Sequence, residues 1–277
     1  MKEEKVDILL STYNGEKYLP QQLDSLLAQT YINWQLIIRD DGSQDRTPII
    51  IEEYIDRYPN KICLLHSDGN IGVVKSFETL LGNSNSKYIM FCDQDDIWLS
   101  DKIAITHQKM LEEEKRYPTK PVLIHTDLTV VNDCLEIIHT SFWQYSRINP
   151  ELLTNIDFLS IHNAATGCTI MINENAKMVI PPFTEKTLMH DSWIALSVAK
   201  KMGIISFVNR PTMLYRQHAS NAVGARNSIN NYFLNRILTF KGVIKYNTLQ
   251  YKMINELENY SIIRYIYNKI KYFKKNR

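Results

Sequence analysis

A chain of 277 residues with 44% hydrophobic and 22% charged residues is long enough for one large domain and apolar enough to bury a core, which excludes a disordered or fibrous protein. No apolar run approaches the roughly 20 residues of a membrane-spanning helix, and Met1 to Lys5 is polar, so neither a span nor a signal peptide is expected and the expected location is the cytoplasm. The formal net charge of +2 hides an asymmetry: residues 192–277 hold 15 Lys and Arg against Glu256 and Glu258 alone, which points the C-terminal part towards an anionic surface.

The first hundred residues alternate strand and helix signals. Val6–Ser11 is a short apolar run ending in polar residues, the pattern of a buried strand. Leu19, Leu23, Leu26 and Leu27 then share one helical face, with Pro20 tolerated in the first turn. Trp34–Ile38 predicts a second strand that stops at Asp40-Asp41-Gly42-Ser43. Residues 47–58 read as a helix with Asp45 as its cap, 61–65 as a strand, and 73–82 as a helix. Lys87–Cys92 is a fourth strand running into Asp93-Gln94-Asp95-Asp96, ahead of a helix beginning near Leu99. This order predicts an α/β fold with a Rossmann-like, mostly parallel sheet flanked by helices.

The second half is less regular. Val122–Thr126, Thr129–Asn132 and Ala165–Ile172 read as strands, 191–202 as a helix, and 204–208 and 212–216 as short strands. Beyond about residue 226 the pattern turns helical. The expected organisation is a domain over 1–224, with halves near 1–115 and 116–224, followed by a basic helical extension over 225–277. Cys63, Cys92, Cys134 and Cys168 are scattered without a C-x-x-C pair and read as reduced, buried hydrophobes.

Ligands of open α/β sheets bind at the carboxyl ends of the strands. Three of the first four strands end there in polar clusters: Ser11-Thr12-Tyr13-Asn14, Asp40-Asp41 and Asp93 to Asp96. Three carboxylates within four residues repel one another unless a cation or solvent screens them, and clustered oxygen ligands suit Mg²⁺ or Mn²⁺ beside substrate phosphates. An exposed acidic turn is the plain alternative for Asp93–Asp96, and a β-turn with an N-cap for Asp40–Ser43. Asp68-Gly69-Asn70-Ile71-Gly72 is not G-x-G-x-x-G, so a dinucleotide fingerprint is rejected.

Together, VDILLSTYNGEKYLPQQLDSLLAQTY, IIRDDGSQDRT and YIMFCDQDDIWLSDKI resemble the family-two inverting glycosyltransferases of the GT-A fold, almost continuously over the first hundred residues and more weakly to about residue 221. The IIRDDGS and DQDDIW variants are most similar to rhamnosyltransferase-type members that build bacterial surface polysaccharides. The resemblance implies that Ser11, Thr12, Tyr13 and Asn14 meet the nucleotide and that Asp41 pairs with the base. It implies that Asp93 and Gln94 lie at the donor, that Asp95 with Asp93 holds the metal, and that Asn70 lies in a donor-side loop. Asp96 is an extra acid, so either Asp95 or Asp96 is the main ligand. His190-Asp191-Ser192-Trp193 is similar to the acid-containing motif at a helix start, which makes Asp191 the base that deprotonates the acceptor. Gly167, His190 and Trp193 fall on the acceptor side. Arg216 and His218, with Asn221 nearby, are similar to the basic end of the last strand, Arg216 over the diphosphate and His218 at the metal. The implied donor is dTDP-L-rhamnose or a UDP-sugar, and the implied acceptor a saccharide, lipid-linked. The Q-x-x-R-W motif of processive members is absent, which implies addition of one sugar.

Residues 259–277 carry Arg264, Lys269, Lys271, Lys274, Lys275 and Arg277 with no acid, interleaved with Ile and aromatics. Such a helix fits the inner face of a membrane, or packs on its own domain or on a second copy of the chain. A sugar nucleotidyltransferase and a non-catalytic sugar-nucleotide binder are the competing readings. Nothing resembles a nucleic-acid recognition module.

Overall fold

The computed structural model describes residues 4–218 and 240–276, so Asn221 lies outside the described residues. Four strands form the parallel half of the sheet: β1 (Val6–Thr12), β2 (Trp34–Asp40), β3 (Ile62–Leu64) and β4 (Tyr88–Cys92). They lie in the order β3-β2-β1-β4, with β1 paired to β2 from Val6↔Trp34 to Thr12↔Asp40. Helices α1 (Leu19–Leu27), α2 (Thr47–Arg57) and α3 (Val73–Asn83) make the crossovers. Two residues of β5 (Ile97–Trp98) follow β4, and α4 (Lys102–Arg116) closes this half. The expected start near Leu99 is thus displaced, because Leu99 N–H bonds to the Thr212 carbonyl and Ile97–Trp98 pair with Met213–Leu214.

Alternation along the buried strands feeds two cores. Val6, Ile8 and Leu10 face one with Leu19, Leu23, Leu26, Ile51 and Ile103, so α1, α2 and α4 cover that side. Leu9, Ile37, Ile89 and Phe91 face the other with Phe77, Leu80 and side chains of the later helices. Each side chain so buried contributes roughly 1.5–3 kcal/mol, which is why the first hundred residues announce their strands so clearly.

The remaining sheet is built around β6 (Val122–Asn132), which pairs with β7 (Ile137–His139), β8 (Met171–Asn173) and β9 (Ile204–Gln217). β8 lies between β4 and β6, antiparallel to both, and joins the two halves. The two pairs of short strands expected here are each one long strand with a shifted register at Thr126, Asp127 and Thr129. Asp127 causes the irregularity: its carboxylate accepts from the Leu128 and Trp143 amides and the Ser141 hydroxyl, at 2.8, 3.2 and 2.5 Å. Opposite it stands Pro211, which has no amide to give the ladder.

Of the strand expected over Ala165–Ile172, only Met171 and Ile172 are strand, as the start of β8. A 3₁₀ turn at Gly167–Thr169 precedes β8, because the Ala165 and Gly167 amides donate to the side chains of Asn163 and Asp191 instead of a ladder. Short helices α5 (Phe142–Ser146), α6 (Ile156–Leu159) and α7 (Glu174–Val179) lead to α8 (His190–Lys200). The chain ends in α9 (Phe240–Leu257) and α10 (Ile262–Lys275). Met253, Ile254, Leu257, Tyr265 and Tyr272 enter the same core as α3 and α8. Of the cysteines, Cys92 and Cys168 are buried as expected, whereas Cys63 is half-buried and Cys134 exposed on the turn before β7.

Candidate active site

The polar ends of β1, β2 and β4 are tied to one another rather than merely adjacent. Thr12 donates to Asp40 at 2.9 Å, and Asp40 also accepts from the Ser43 amide and hydroxyl. Asn14, at a left-handed φ of 48°, donates its amide to Ser43 Oγ and accepts from the Gln44 amide, both at 2.8 Å. Gln94 clamps the neighbouring residue: its Oε1 accepts from the Tyr13 amide at 2.9 Å and its Nε2 donates to the Tyr13 carbonyl at 3.1 Å. Gly15 was not singled out by sequence reasoning. A Cβ there would stand 2.4 Å from Gln94 Oε1, so a side chain at this position would push the Gln94 amide off Tyr13. Ser11 is half-buried at the strand end, and Tyr13 is exposed beside it.

Asp41 is buried beneath this surface. Its carboxylate pairs with Arg39 at 2.5 Å and accepts from the amides of Ile71 and Gly72 at 2.8 and 2.9 Å. It therefore fixes the 69–72 loop and leaves Asn70 exposed at the rim. Gly42, at φ 80°, lets the loops meet: a Cβ there would lie 3.2 Å from the Asn70 amide nitrogen.

Among the acids after β4, the structure separates Asp95 from Asp96. Asp95 Oδ2 lies 2.8 Å from His218 Nε2, and both side chains keep a little exposure. Asp96 is fully buried, with Oδ1 accepting from the Arg216 amide at 3.0 Å and Oδ2 without a partner. Asp95 therefore keeps a face towards solvent, whereas Asp96 does not. Donor atoms of Asp93, Asp96 and Cys168 all lie within 4.8 Å of one another, so Cys168 is part of the acidic cluster rather than a passive hydrophobe.

Burial raises Asp93 above the ordinary carboxylate range, and the charges of Asp95 and Asp191 add to it. Burial raises Asp96 well above that range too, with Asp95 and Asp93 reinforcing it. Beneath them lies Lys102, fully buried and pushed down to about 8 by desolvation. Acids in this state gain from a cation. Asp93 and Asp95 offer carboxylates of the kind that hold Mg²⁺ or Mn²⁺, and His218, hydrogen-bonded to Asp95 at 2.8 Å, stands beside them.

The second half supplies the rest. Asp191 lies in the first turn of α8, where its Oδ2 accepts from the Gly167 amide at 3.1 Å and its Oδ1 from the Ser192 amide and hydroxyl at 2.5 and 3.1 Å. Burial raises Asp191, and the bonds from Ser192, Gly167 and Asn163 pull it back. Gly167 is required in place: a Cβ would stand 2.5 Å from His190 Nε2. His190 and Trp193, expected on the acceptor side, are core residues. His190 stacks on Phe77 at 4.0 Å, is pushed down to about 3 by burial and has no partner for either ring nitrogen; Trp193 donates to the Pro181 carbonyl at 3.0 Å.

Arg216 is a strut. Its guanidinium donates to the Asp95 carbonyl at 2.9 Å, the Asp133 carbonyl at 3.0 Å and Gln21 Oε1 at 2.6 Å. It therefore braces the acidic loop against α1 and the turn before β7. Tyr18 carries the same join, stacked on the His218 ring at 4.5 Å, lying under Arg216, and bonded through its hydroxyl to Asp133. Neither Tyr18 nor Asp133 carried a local signal, because their partners come from segments far apart in sequence.

The family model for glycosyl transferase family 2 matches residues 7–177. The chain is 31% identical over 234 residues to dTDP-rhamnosyl transferase RfbG of Shigella flexneri, covering 78% of this chain and 74% of that protein. It is 27% identical over 202 residues to UDP-Glc:alpha-D-GlcNAc-diphosphoundecaprenol beta-1,3-glucosyltransferase WfgD of Escherichia coli, covering 72% and 71%. Its structure is similar to that of mannosyltransferase PcManGT from Pyrobaculum calidifontis in complex with GDP-Man and Mn²⁺, with a TM-score of 0.59 and 16% identity, covering 92% of this chain and 70% of that one. The fold is that of the GT-A glycosyltransferases.

Proposed function

The chain belongs to glycosyl transferase family 2, and from that premise we propose that it moves one L-rhamnose from dTDP-L-rhamnose, with inversion, onto a lipid-linked saccharide in bacterial surface polysaccharide synthesis. The observation that carries the reading is that Asp191 holds the Gly167 amide at 3.1 Å while the next residue, Cys168, lies within 4.8 Å of Asp93 and Asp96, which brings the helix-borne acid beside the acidic cluster. An inverting transfer needs a base on one side of the anomeric carbon and a place for diphosphate charge on the other.

Asp191 is the base. It takes the proton of the acceptor hydroxyl as that oxygen bonds to the anomeric carbon, and the bond to the diphosphate breaks with its electron pair on the nucleoside diphosphate. The Ser192 and Gly167 donors fix the carboxylate and oppose the rise in its pKa that burial imposes. Asp95 and His218, with Asp93, would hold Mn²⁺ or Mg²⁺, which supplies positive charge to the leaving diphosphate when bound. Thr12, Asn14 and Gln94 shape the nucleotide-facing loop, Asp41 and Asn70 its donor-side neighbour, and Arg216 keeps the acidic loop in register.

RfbG supports rhamnose as the donor sugar. WfgD favours a second reading with a UDP-sugar, and its diphosphoundecaprenol acceptor supports a lipid-linked one here. The acceptor would place the enzyme at the inner face of the membrane; no helix among the described residues is long and apolar enough to cross it. Family membership sets aside the nucleotidyltransferase and the non-catalytic binder.

Thermal shifts with nucleotide sugars, in Mn²⁺ and in EDTA, test the donor, since a ligand that binds only the folded state raises the midpoint. Metal-dependent stabilisation by dTDP-L-rhamnose and not by UDP-sugars is expected. The reverse selectivity replaces the rhamnose reading with the UDP-sugar one.

A further inference from the structure

Helix α10 has two opposed apolar faces, and only one of them packs on the protein. Tyr265, Asn268 and Tyr272 point inward and are buried, with Asn268 Nδ2 donating to the Tyr260 hydroxyl at 2.7 Å. Ile262, Ile263, Ile266, Tyr267, Ile270 and Phe273 are exposed, Ile263 at 76% and Tyr267 at 62%. At about 100° per residue these six share an arc of about 140° opposite the buried side. The apolar stripe of a surface helix normally faces its own core. Here the core is already served by the tyrosines, and a contiguous outward stripe marks an interaction surface.

The charges around the stripe select its partner. Lys271 borders one edge and the half-buried Lys269 the other, Lys274 stands inside the arc near the Lys271 edge, and Lys275 follows at the C-terminal end. No acid occurs from Asn259 to Arg277. Arg264 is paired with Asp157 and Glu258, so the exposed lysines dominate the outward field. A second copy of α10 set against the stripe would bring lysine against lysine. An anionic bilayer accepts the isoleucines in its acyl boundary and the lysines at its phosphates.

We infer that α10 is an interfacial membrane helix, lying in the surface of an anionic bilayer with Ile263, Ile266, Ile270 and Phe273 immersed. Its purpose rests on the reading of the acceptor as lipid-linked, because such an acceptor is confined to that surface. Its test does not, since binding to lipid requires neither donor nor acceptor.

The full chain is floated with vesicles of phosphatidylcholine alone and with vesicles in which a third of the lipid is phosphatidylglycerol. The wild type is expected to co-float with the anionic vesicles, and high salt to weaken the association. Ile266→Glu/Ile270→Glu and Lys271→Glu/Lys274→Glu each lower partitioning by at least about tenfold. Both variants keep the wild-type melting temperature and the donor-induced thermal shift, which excludes misfolding. Equal partitioning of wild type and variants, or no wild-type binding to anionic vesicles, overturns the inference. So does a dimer, seen by light scattering, that Ile266→Glu/Ile270→Glu dissociates, since the stripe then belongs to a second copy. Loss of the donor shift with flotation intact overturns the donor reading alone.

Discussion

The β3-β2-β1-β4 half and the β8-β6-β9 half reach the same site by different routes. In the first, the candidate residues sit at or just beyond the carboxyl ends of buried parallel strands, and the loops there are stitched across neighbouring strands by pairs such as Thr12–Asp40 and Asn14–Ser43. In the second, Asp191 comes from the first turn of a helix, Gly167 from a 3₁₀ turn, and Arg216 and His218 from the far end of a long strand with a shifted register. The first half is a platform assembled from local rules. The second is positioned by tertiary contacts, and its residues make sense only once those contacts exist.

If the first half, joined by His218 from the second, handles donor and metal while Asp191 handles the acceptor proton, variants should separate the two tasks. Asp95→Asn is expected to have the largest effect: the Mn²⁺-dependent thermal shift with donor is lost, and kcat/KM falls by about 10³-fold or more, the scale of several kcal/mol of charge stabilisation. Asp191→Asn should lower kcat by about 10²–10⁴-fold while leaving that thermal shift intact. A lost shift in Asp191→Asn would merge the halves into one binding unit.

Gly167→Ala tests the second half through packing alone. The new Cβ meets His190 Nε2 at 2.5 Å, and the ring is held between Phe77 and Phe91, so a loss of about 1–3 kcal/mol in stability is expected by thermal or denaturant melting. An unchanged midpoint would mean that the 3₁₀ turn yields freely.

Acidity sharpens the comparison further. As the proposed base, Asp191 would act only when ionised, and its pKa is raised by burial. The acid limb of kcat is therefore expected above the ordinary Asp value of about 3.9, with activity lost as pH falls through it. A limb at or below that value would assign the proton to another group.

The smallest effect concerns stability. His125 is fully buried against Trp143 and Phe207, has neither ring nitrogen bonded, and is pushed down to about 3. Its folded pKa lies below the unfolded value of about 6.5, so the unfolded chain binds the extra proton between those limits. Stability is present above pH ~6.5 and is lost as pH falls towards ~3. His125→Leu should change stability at neutral pH by no more than about 1 kcal/mol and remove about one proton from the uptake on acid unfolding, read from melting temperature against pH.

The sequence by itself determined the parallel half, because a strand buried on both faces writes its period directly into Val6–Thr12, Trp34–Asp40 and Tyr88–Cys92. It also located the acids that follow those strands, and Asp191 at a helix start. It misread Ala165–Ile172 because side-chain acceptors there take amides that composition assigns to a ladder, and it divided β6 and β9 because a single buried carboxylate bends them. The tertiary structure alone decided that Asp95 faces His218 while Asp96 turns inward, that Arg216 braces loops, and that His190 and Trp193 belong to the core. The physical reason is clearest at the two aspartates. Where neighbouring residues are chemically alike, spacing cannot say which reaches solvent, and that choice is made by partners brought from distant segments when the two halves of the sheet close around one site.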